Sequence, residues 1–309
     1  MTQTIRTVIS IALGLLVTVS LSIQAQQPTR FLTLSPPDGL PIIPVLEGWV
    51  ANEDGSRALI FGYINRNDTA VDIPLGENNY IEPAEFNGMQ PSHFGPRRGP
   101  QIFSVTLPAD QADIDVWWYL KTGDSEVLKV PGRAGISAYE LDYDRPRPQG
   151  SIQPLVAFSE NAAKSRGHMA LIEDYPEQVT AGTQIVLTAY VEDISVRDST
   201  DVRFEEPLDV GVHFSQHQGP GEVVFTRHES TPEPEEEEAD SDDGTRRRFR
   251  GPAENEVRVK GAGTANVYAT FSEPGEYMIR IMVENWSAPD SSQGDQCCAS
   301  NAYQRVTVR

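Results

Sequence analysis

Short runs of alternating apolar and polar residues, each closed by Gly, Pro, Asn or Asp, recur along most of this 309-residue chain. Successive side chains of a strand point to opposite faces, so a period of two is typical of a half-buried strand. Two runs show the pattern best, with apolar faces made of Ile114, Val116, Trp118 and Leu120 and of Tyr277, Ile279, Ile281 and Val283. The pattern predicts an all-β chain of short strands joined by tight turns.

Length and turn content together suggest two β domains in series. Gly and Pro make up about 15% of the residues, 47 of 309, which is above average but below the level of a disordered chain. The predicted parts are a signal peptide at 1–25, an extended lead-in at 26–44, an N-terminal β-sandwich at 45–131, a linker at 132–166 and a C-terminal β-sandwich at 167–309.

The first 25 residues have the features of a secretory signal peptide. A single early cation, Arg6, precedes an uncharged run from Thr7 to Ile23, and the small residue Ala25 stands at the expected cleavage point. No later stretch is long and apolar enough to cross a bilayer. We therefore expect an exported chain, periplasmic or extracellular, with an uncleaved N-terminal membrane anchor as the alternative.

The charge balance bears on the kind of partner. The chain has 45 acidic and 25 basic side chains, a formal net charge of −20, which repels phosphate backbones and argues against nucleic acid as a partner. Eight acids at 233–243 and four arginines at 246–250 fall inside the segment 231–252. Such a charge run cannot bury apolar surface, so it predicts a disordered acidic insertion in the second domain.

Four phrases stand out in the second domain: VTAGTQIVLTAYVED at 179–193, GPGEV at 219–223, ATFSEPGEYMIR at 269–280 and VTV at 306–308. This set resembles bacterial immunoglobulin-like domains of the PKD and cadherin-like kind. The first domain, with FGYINRN, IPLGENNYIEP and QPSHFGPRRG, is similar to a group of exported bacterial proteins. The first resemblance implies an immunoglobulin-like fold for the second domain, the other implies export and two β domains, and neither implies an activity. We predict two immunoglobulin-like antiparallel β-sandwiches in tandem.

Two adjacent cysteines, Cys297 and Cys298, precede the last predicted strand. Neighbouring Cα atoms lie about 3.8 Å apart, whereas ordinary disulfides prefer about 5.5 Å. A strained vicinal disulfide is therefore one of three outcomes, beside two reduced thiols and a shared metal or intermolecular bridge. We expect the vicinal disulfide, since export places the pair in an oxidising compartment.

Three histidines, His213, His217 and His228, lie on two predicted strands joined by a GPG turn. On an extended strand His213 and His217 share a face. A zinc or copper site needs at least three converging ligands, and a third is not evident here. We predict surface or edge histidines, no metal site and no cofactor.

Signatures of catalysis are missing from the sequence, which lacks G-x-S-x-G, H-E-x-x-H, P-loop and G-x-G-x-x-G motifs. Asp113 and Asp115 beside Trp117 and Trp118 suggest a carbohydrate hydrolase, because that chemistry uses paired carboxylates and a stacking platform. In an alternating strand, however, both Asp share a face with Trp117 while Trp118 faces the core. We predict a non-catalytic protein.

The segment 76–100 is the predicted binding loop. It is rich in Gly, Pro and Asn, and it brings together Asn78, Asn79, Tyr80, Phe86, His93, Phe94, Arg97 and Arg98. Loops on rigid scaffolds are where recognition concentrates, although Tyr80 and Phe94 equally suit a role in pinning the loop to the sandwich.

These observations predict an exported binding or interaction protein of the bacterial envelope or exterior, with a protein or glycan as its partner. The alternatives are a structural spacer, which needs no concave site, and a carbohydrate-active hydrolase, which needs two carboxylates about 5 to 10 Å apart in a cleft.

Overall fold

The computed structural model describes residues 39–141, 150–231, 253–291 and 298–309. Within these ranges the chain forms seventeen β-strands and no α-helix, so the all-β prediction is confirmed. Four single-turn 3-10 helices lie at Ala84–Phe86, Ala109–Gln111, Ser137–Tyr139 and Val202–Phe204. No helix of the described part is long and apolar enough to cross a membrane. Residues 40–309 form one compact unit.

The first region has eight strands. They are β1 (Ile43–Ala51), β2 (Arg57–Asn65), β3 (Val71–Asp72), β4 (Asn79–Glu82), β5 (His93–Phe94), β6 (Arg97–Leu107), β7 (Val116–Leu120) and β8 (Leu128–Gly132). The sheet β1-β2-β6 faces the sheet β4-β7-β8, and β3 pairs with β5. One core lies between them, and Phe61 and Phe103 pack edge-on against Trp118 within it. The predicted alternation of β7 is confirmed, because Val116, Trp118 and Leu120 are all buried.

Nine strands lie in the described part of the second region. They are β9 (Leu155–Ala157), β10 (Leu171–Asp174), β11 (Gln184–Glu192), β12 (Asp209–Gln218), β13 (Val223–Arg227), β14 (Glu256–Lys260), β15 (Ala262–Phe271), β16 (Gly275–Glu284) and β17 (Ala299–Val308). A five-stranded sheet, β10-β17-β16-β12-β14, packs on a four-stranded sheet, β13-β15-β11-β9, over a shared apolar core. Only β10 and β17 pair in parallel among these described strands.

The strand order of the second region is that of an immunoglobulin-like sandwich. In that fold, strands A, B, E and D form one sheet, and C, F and G form the other. Here β9, β11, β15 and β13 occupy the first set of places, and β12, β16 and β17 occupy the second. The β-sandwich expected from the resemblance is therefore present.

The predicted linker at 132–166 differs from the structure at both ends. Its first residues lie on the first region, where Trp49 Nε1 donates to the carbonyl of Ile136 and Leu141 N donates to the carbonyl of Trp49. Its later part contains β9, which pairs with β11 and buries Val156 completely. Three residues are too few to show a period of two, so the alternation did not reveal this strand.

Several predictions fall outside the described residues. The signal peptide at 1–25 lies there entirely, as does the lead-in before Gly39. The acidic insertion at 231–252 also lies there, apart from Thr231.

The outer face of the five-stranded sheet is partly covered by the first region. Ser92 N donates to the carbonyl of His217 at 2.9 Å. Gln218 Nε2 donates to the carbonyls of Gly88 and Gln90 at 2.9 and 2.6 Å. The segment 76–100 therefore packs against the second region and joins it to the first.

Candidate functional site

A cleft of about 900 Å³ opens between the first region and the uncovered part of this outer face. Its walls include Tyr63, His93 and Arg98 of the first region and Trp286 of the second. The volume lies in the upper part of the range of small-molecule sites, about 300–1,000 Å³. We define this cleft as the candidate functional site.

Two neighbouring strands, β12 and β16, form the floor of the cleft. They are antiparallel, and the register places Ser215 opposite Arg280, His213 opposite Met282 and Gly211 opposite Glu284. Alternation turns Tyr277, Ile279, Ile281 and Val283 into the sandwich core, and Arg280, Met282 and Glu284 of β16 line the cleft. The floor therefore runs from Arg280, through Met282, to Glu284.

Arg280 lies at the end of the floor where the first region covers the sheet. It is 6% exposed, and its Nε donates to Asn301 Oδ1 at 2.9 Å while Nη2 donates to the carbonyl of Gln101 at 3.2 Å. Burial lowers the pKa of the guanidinium, and the neighbouring phenols of Tyr303 and Tyr63 act in the opposite direction. An arginine stays charged in proteins, so a cation is held in a largely dry place.

Glu284 lies at the other end of the floor and is 4% exposed. Its Oε2 accepts a hydrogen bond from Trp286 N, and its Oε1 lies 3.3 Å from His213 Nε2. A Cβ atom at Gly211 would stand 2.0 Å from Oε1, so the missing side chain at this position makes room for the carboxylate.

Two histidines near Arg280 are buried at the junction of the two regions. His217 Nε2 lies 2.7 Å from the carbonyl oxygen of Met89, and because a carbonyl only accepts, Nε2 carries the proton. Burial lowers the pKa of His217 to about 3, and burial together with the charge of Arg280 lowers the pKa of His168 to about 3 as well. Both imidazoles are therefore neutral at physiological pH.

The C-terminal end of the predicted binding loop forms part of the cleft wall, through His93, Gly95, Arg98, Gly99 and Pro100, whereas two other residues of the predicted site belong to the first region's interior. Phe94 is fully buried in the apolar core. Asn79 is also fully buried, with Nδ2 donating to the carbonyls of Ile73 and Pro91 and Oδ1 accepting from Trp118 Nε1. These contacts satisfy the loop's own polar groups, so neither side chain is available to a ligand.

The other residues of the predicted site are dispersed. Tyr80 stacks on Tyr119 with ring centroids 4.6 Å apart, while Asn78 and Arg97 are exposed. His93 and Arg98 do line the cleft, and each has a partner already, since His93 Nδ1 lies 2.8 Å from Asp72 Oδ1 and Arg98 pairs with Glu47.

The three histidines weighed as metal ligands do not converge. His213 and His217 both line the cleft, but His217 is buried rather than at the surface, and its Nε2 is bonded to the carbonyl of Met89. His228 lies against Tyr268 and Ser230 beyond β13. The described part of the chain holds no group of three or more His, Cys, Asp or Glu side chains placed to hold a metal ion.

The carboxylates of the hydrolase alternative are poorly suited to acid catalysis. Arg133 Nε donates to Asp115 Oδ1 at 2.7 Å, and this hydrogen bond lowers the pKa of Asp115. A glycosidase acid needs a raised pKa instead. Asp113 is exposed and Trp118 is fully buried, so the two aspartates and two tryptophans form no common cleft.

Of the two cysteines, only Cys298 lies within the described residues. Cys298 is fully buried, takes part in a disulfide bond and lies 3.5 Å from Ser151 Oγ. Cys297 lies outside the described residues, so the vicinal pairing stays a prediction.

Fold and site together define an all-β protein that contains an immunoglobulin-like sandwich and a cleft on the outer face of its larger sheet. No family model matches the chain. No curated protein matches it either. Among solved structures, the chain is similar to the D00-D0 domain of Intimin, at 12% identity and a TM-score of 0.25, over 87% of this chain and 99% of that one. Such low values carry no argument about function.

Proposed function

We propose that this chain is an exported, non-catalytic binding or interaction protein of the bacterial envelope or exterior, and that it takes its ligand in the cleft. The carrying observation is the cleft itself, about 900 Å³ in volume, with a buried cation and a buried carboxylate on its floor. A spacer has no use for such a concave site. The signal-peptide pattern at 1–25 supports export.

The proposed architecture is two immunoglobulin-like domains in tandem, the second of the PKD or cadherin-like kind. The first region supports this with sheets β1-β2-β6 and β4-β7-β8, which match the A, B, E and C, F, G places in chain order. The hydrogen bonds between the regions hold the two walls of the cleft at a fixed distance, and a preformed site binds with a smaller entropic cost.

Catalysis is not part of the proposal. The hydrolase alternative rests on Asp113 and Asp115, and Asp115 is already engaged by Arg133. The cleft residues include no nucleophile hydrogen-bonded to a base, because Ser215 Oγ donates to the carbonyl of Arg280.

The experiment blocks the cleft with one bulky side chain. Ser215→Trp fills the floor, while Val224→Trp places the same side chain on β13 in the other sheet, where Val224 is 49% exposed. Immobilised wild type and both variants are incubated with an envelope extract, and mass spectrometry identifies the eluted proteins, peptides and glycans.

We expect wild type and Val224→Trp to retain the same component and Ser215→Trp to lose it. Equal recovery by all three proteins, or no recovery above blank resin, would contradict the proposed function. Circular dichroism and thermal unfolding confirm beforehand that the variants are folded.

A further inference from the structure

Arg280 and Glu284 are two buried, opposite charges on one face of one strand. They are four positions apart on β16, and at about 3.3 Å per residue their Cα atoms are separated by roughly 13 Å. Both side chains line the cleft, with Met282 between them. The cleft floor therefore carries a positive end and a negative end.

Neither charge has a full counter-ion within the described part of the chain. Arg280 donates to Asn301 Oδ1 and to the carbonyls of Pro100 and Gln101, and it also has a hydrogen bond with the phenol of Tyr303; the described residues place no carboxylate within ion-pair distance of it. Glu284 has only His213 as a nearby basic group, at 3.3 Å. Burying a charge without a counter-ion costs several kcal/mol, so two such residues in one cleft call for a further partner.

The other basic side chains of the cleft are already neutralised. Arg98 pairs with Glu47, and Arg258 Nη2 lies 3.1 Å from Glu256 Oε1. A ligand carboxylate therefore gains most at Arg280. A ligand ammonium gains more at Glu284, which is buried, than at Glu222, which also lines the cleft but is exposed to water.

We propose that the cleft binds a zwitterionic ligand whose carboxylate lies at Arg280 and whose ammonium lies at Glu284. The Cα atoms of the two residues are about 13 Å apart, and an extended peptide of about four residues covers the same distance along the floor. This inference rests on the proposed function, since it assigns a ligand class to the same cleft. The indole of Trp286 and the thioether of Met282 offer apolar contacts to the middle of such a peptide.

The test uses three probes of one length. Tetraglycine with free ends, N-acetyl-tetraglycine and tetraglycine amide are titrated into the full chain by isothermal titration calorimetry. Because a hydrogen bond to a charged group contributes about tenfold or more in affinity, each capped peptide is expected to bind at least about tenfold more weakly than the free one.

Glu284→Gln tests recognition of the ammonium end alone. This variant is expected to bind free and acetylated tetraglycine equally, while it still binds tetraglycine amide more weakly than free tetraglycine. Glu276→Gln is the matched control, because Glu276 lies on the same strand, is exposed and accepts from Thr307 Oγ1 at 2.8 Å outside the cleft. This control should discriminate as the wild type does.

Arg280→Gln reports on the other end and is expected to lose discrimination against the amide. Since Arg280 also holds Asn301 and the first region, Arg280→Lys is made in parallel as a variant that keeps the cation. If Arg280→Gln does not fold, the acetylated and amidated probes with wild type and Glu284→Gln still decide the question.

Two results would overturn the inference. Equal affinity for free and capped peptides shows a cleft that ignores terminal charge, and absent binding of tetraglycine at millimolar concentration shows that free peptide ends are not its ligand. In either case, loss of the extract component from Ser215→Trp leaves the proposed function intact. Failure of that extract experiment would refute the proposed function separately.

Discussion

The hydroxyl of Tyr303 donates a hydrogen bond of 2.5 Å to the carbonyl oxygen of Ile102, across 201 positions of sequence. Tyr303 lies on β17 and Ile102 on β6, so this contact joins the last strand of the chain to the first region. Burial raises the pKa of Tyr303, which keeps the phenol protonated as a donor. The cleft owes its shape to contacts of this kind.

Replacing Tyr303 by Phe should weaken the junction of the two regions. The change leaves the buried carbonyl of Ile102 without its donor, and an unsatisfied buried group costs about 1–3 kcal/mol. Urea unfolding followed by circular dichroism measures the loss. Tyr268→Phe is the control, because the hydroxyl of Tyr268 bonds the exposed Glu229. Equal stability of the two variants would show that the hydrogen bond between Tyr303 and Ile102 contributes nothing.

Replacing the neighbouring residues Asn78 and Asn79 tests whether Asn79 has a structural role. Asn79→Ala removes the partners of two carbonyls and of the Trp118 indole, all in the interior, and should lower the free energy of unfolding by about 2–4 kcal/mol. Asn78→Ala, at an exposed position, should change it by less than about 0.5 kcal/mol. Chemical denaturation decides, and a stable Asn79→Ala protein would contradict the structural role.

Gly211→Ala should disturb the negative end of the cleft. The new methyl group would stand 2.0 Å from Glu284 Oε1, and overpacking of this kind costs about 1–3 kcal/mol. The same change in a Glu284→Ala background should cost less, since the clashing carboxylate is gone. Thermal unfolding of the four proteins forms a double-mutant cycle, and additive effects would show that the two positions do not interact.

Stability should fall as the pH drops below about 6.5. His168 and His217 have folded-state pKa values of about 3 against an ordinary 6.5, so in this window the unfolded chain binds protons that the folded chain does not. The free energy of unfolding therefore decreases toward acid by about 1 kcal/mol per pH unit for each residue, between about pH 6.5 and 3.

His217→Asn should flatten this pH dependence. Denaturation between pH 7 and 5 tests it, because carboxylates contribute mainly at lower pH. An unchanged slope would mean that His217 titrates alike in the folded and unfolded chains.

The sequence predicts a strand well where one face of the strand is buried in the core and the other face is exposed. The period of two in DIDVWWYLKT separates Trp118, which is buried, from Trp117, which faces outward. The same pattern predicts the core face of β16. The pattern places Arg280 on the opposite face of β16. Arg280 is buried only because the first region covers it, and its contact there, the carbonyl of Gln101, is 179 positions away in sequence. No local pattern carries that information.

The candidate site was harder to predict for a related reason. A segment rich in Gly, Pro and Asn suggests a loop whose polar groups are available to a ligand. In the segment 76–100, however, Asn79 donates to nearby backbone carbonyls, and the carbonyl of Gly88 accepts from Gln218. The useful signal was elsewhere. Charges at 280 and 284 interrupt the apolar run that begins at Tyr277, and such residues mark a face that is neither core nor ordinary surface.

Calorimetry with the component retained from envelope extract decides whether the cleft is the ligand site. We expect Ser215→Trp to bind this component at least about tenfold more weakly than the wild type does, and Val224→Trp to bind it as the wild type does. Equal affinities for all three proteins would place the ligand outside the cleft.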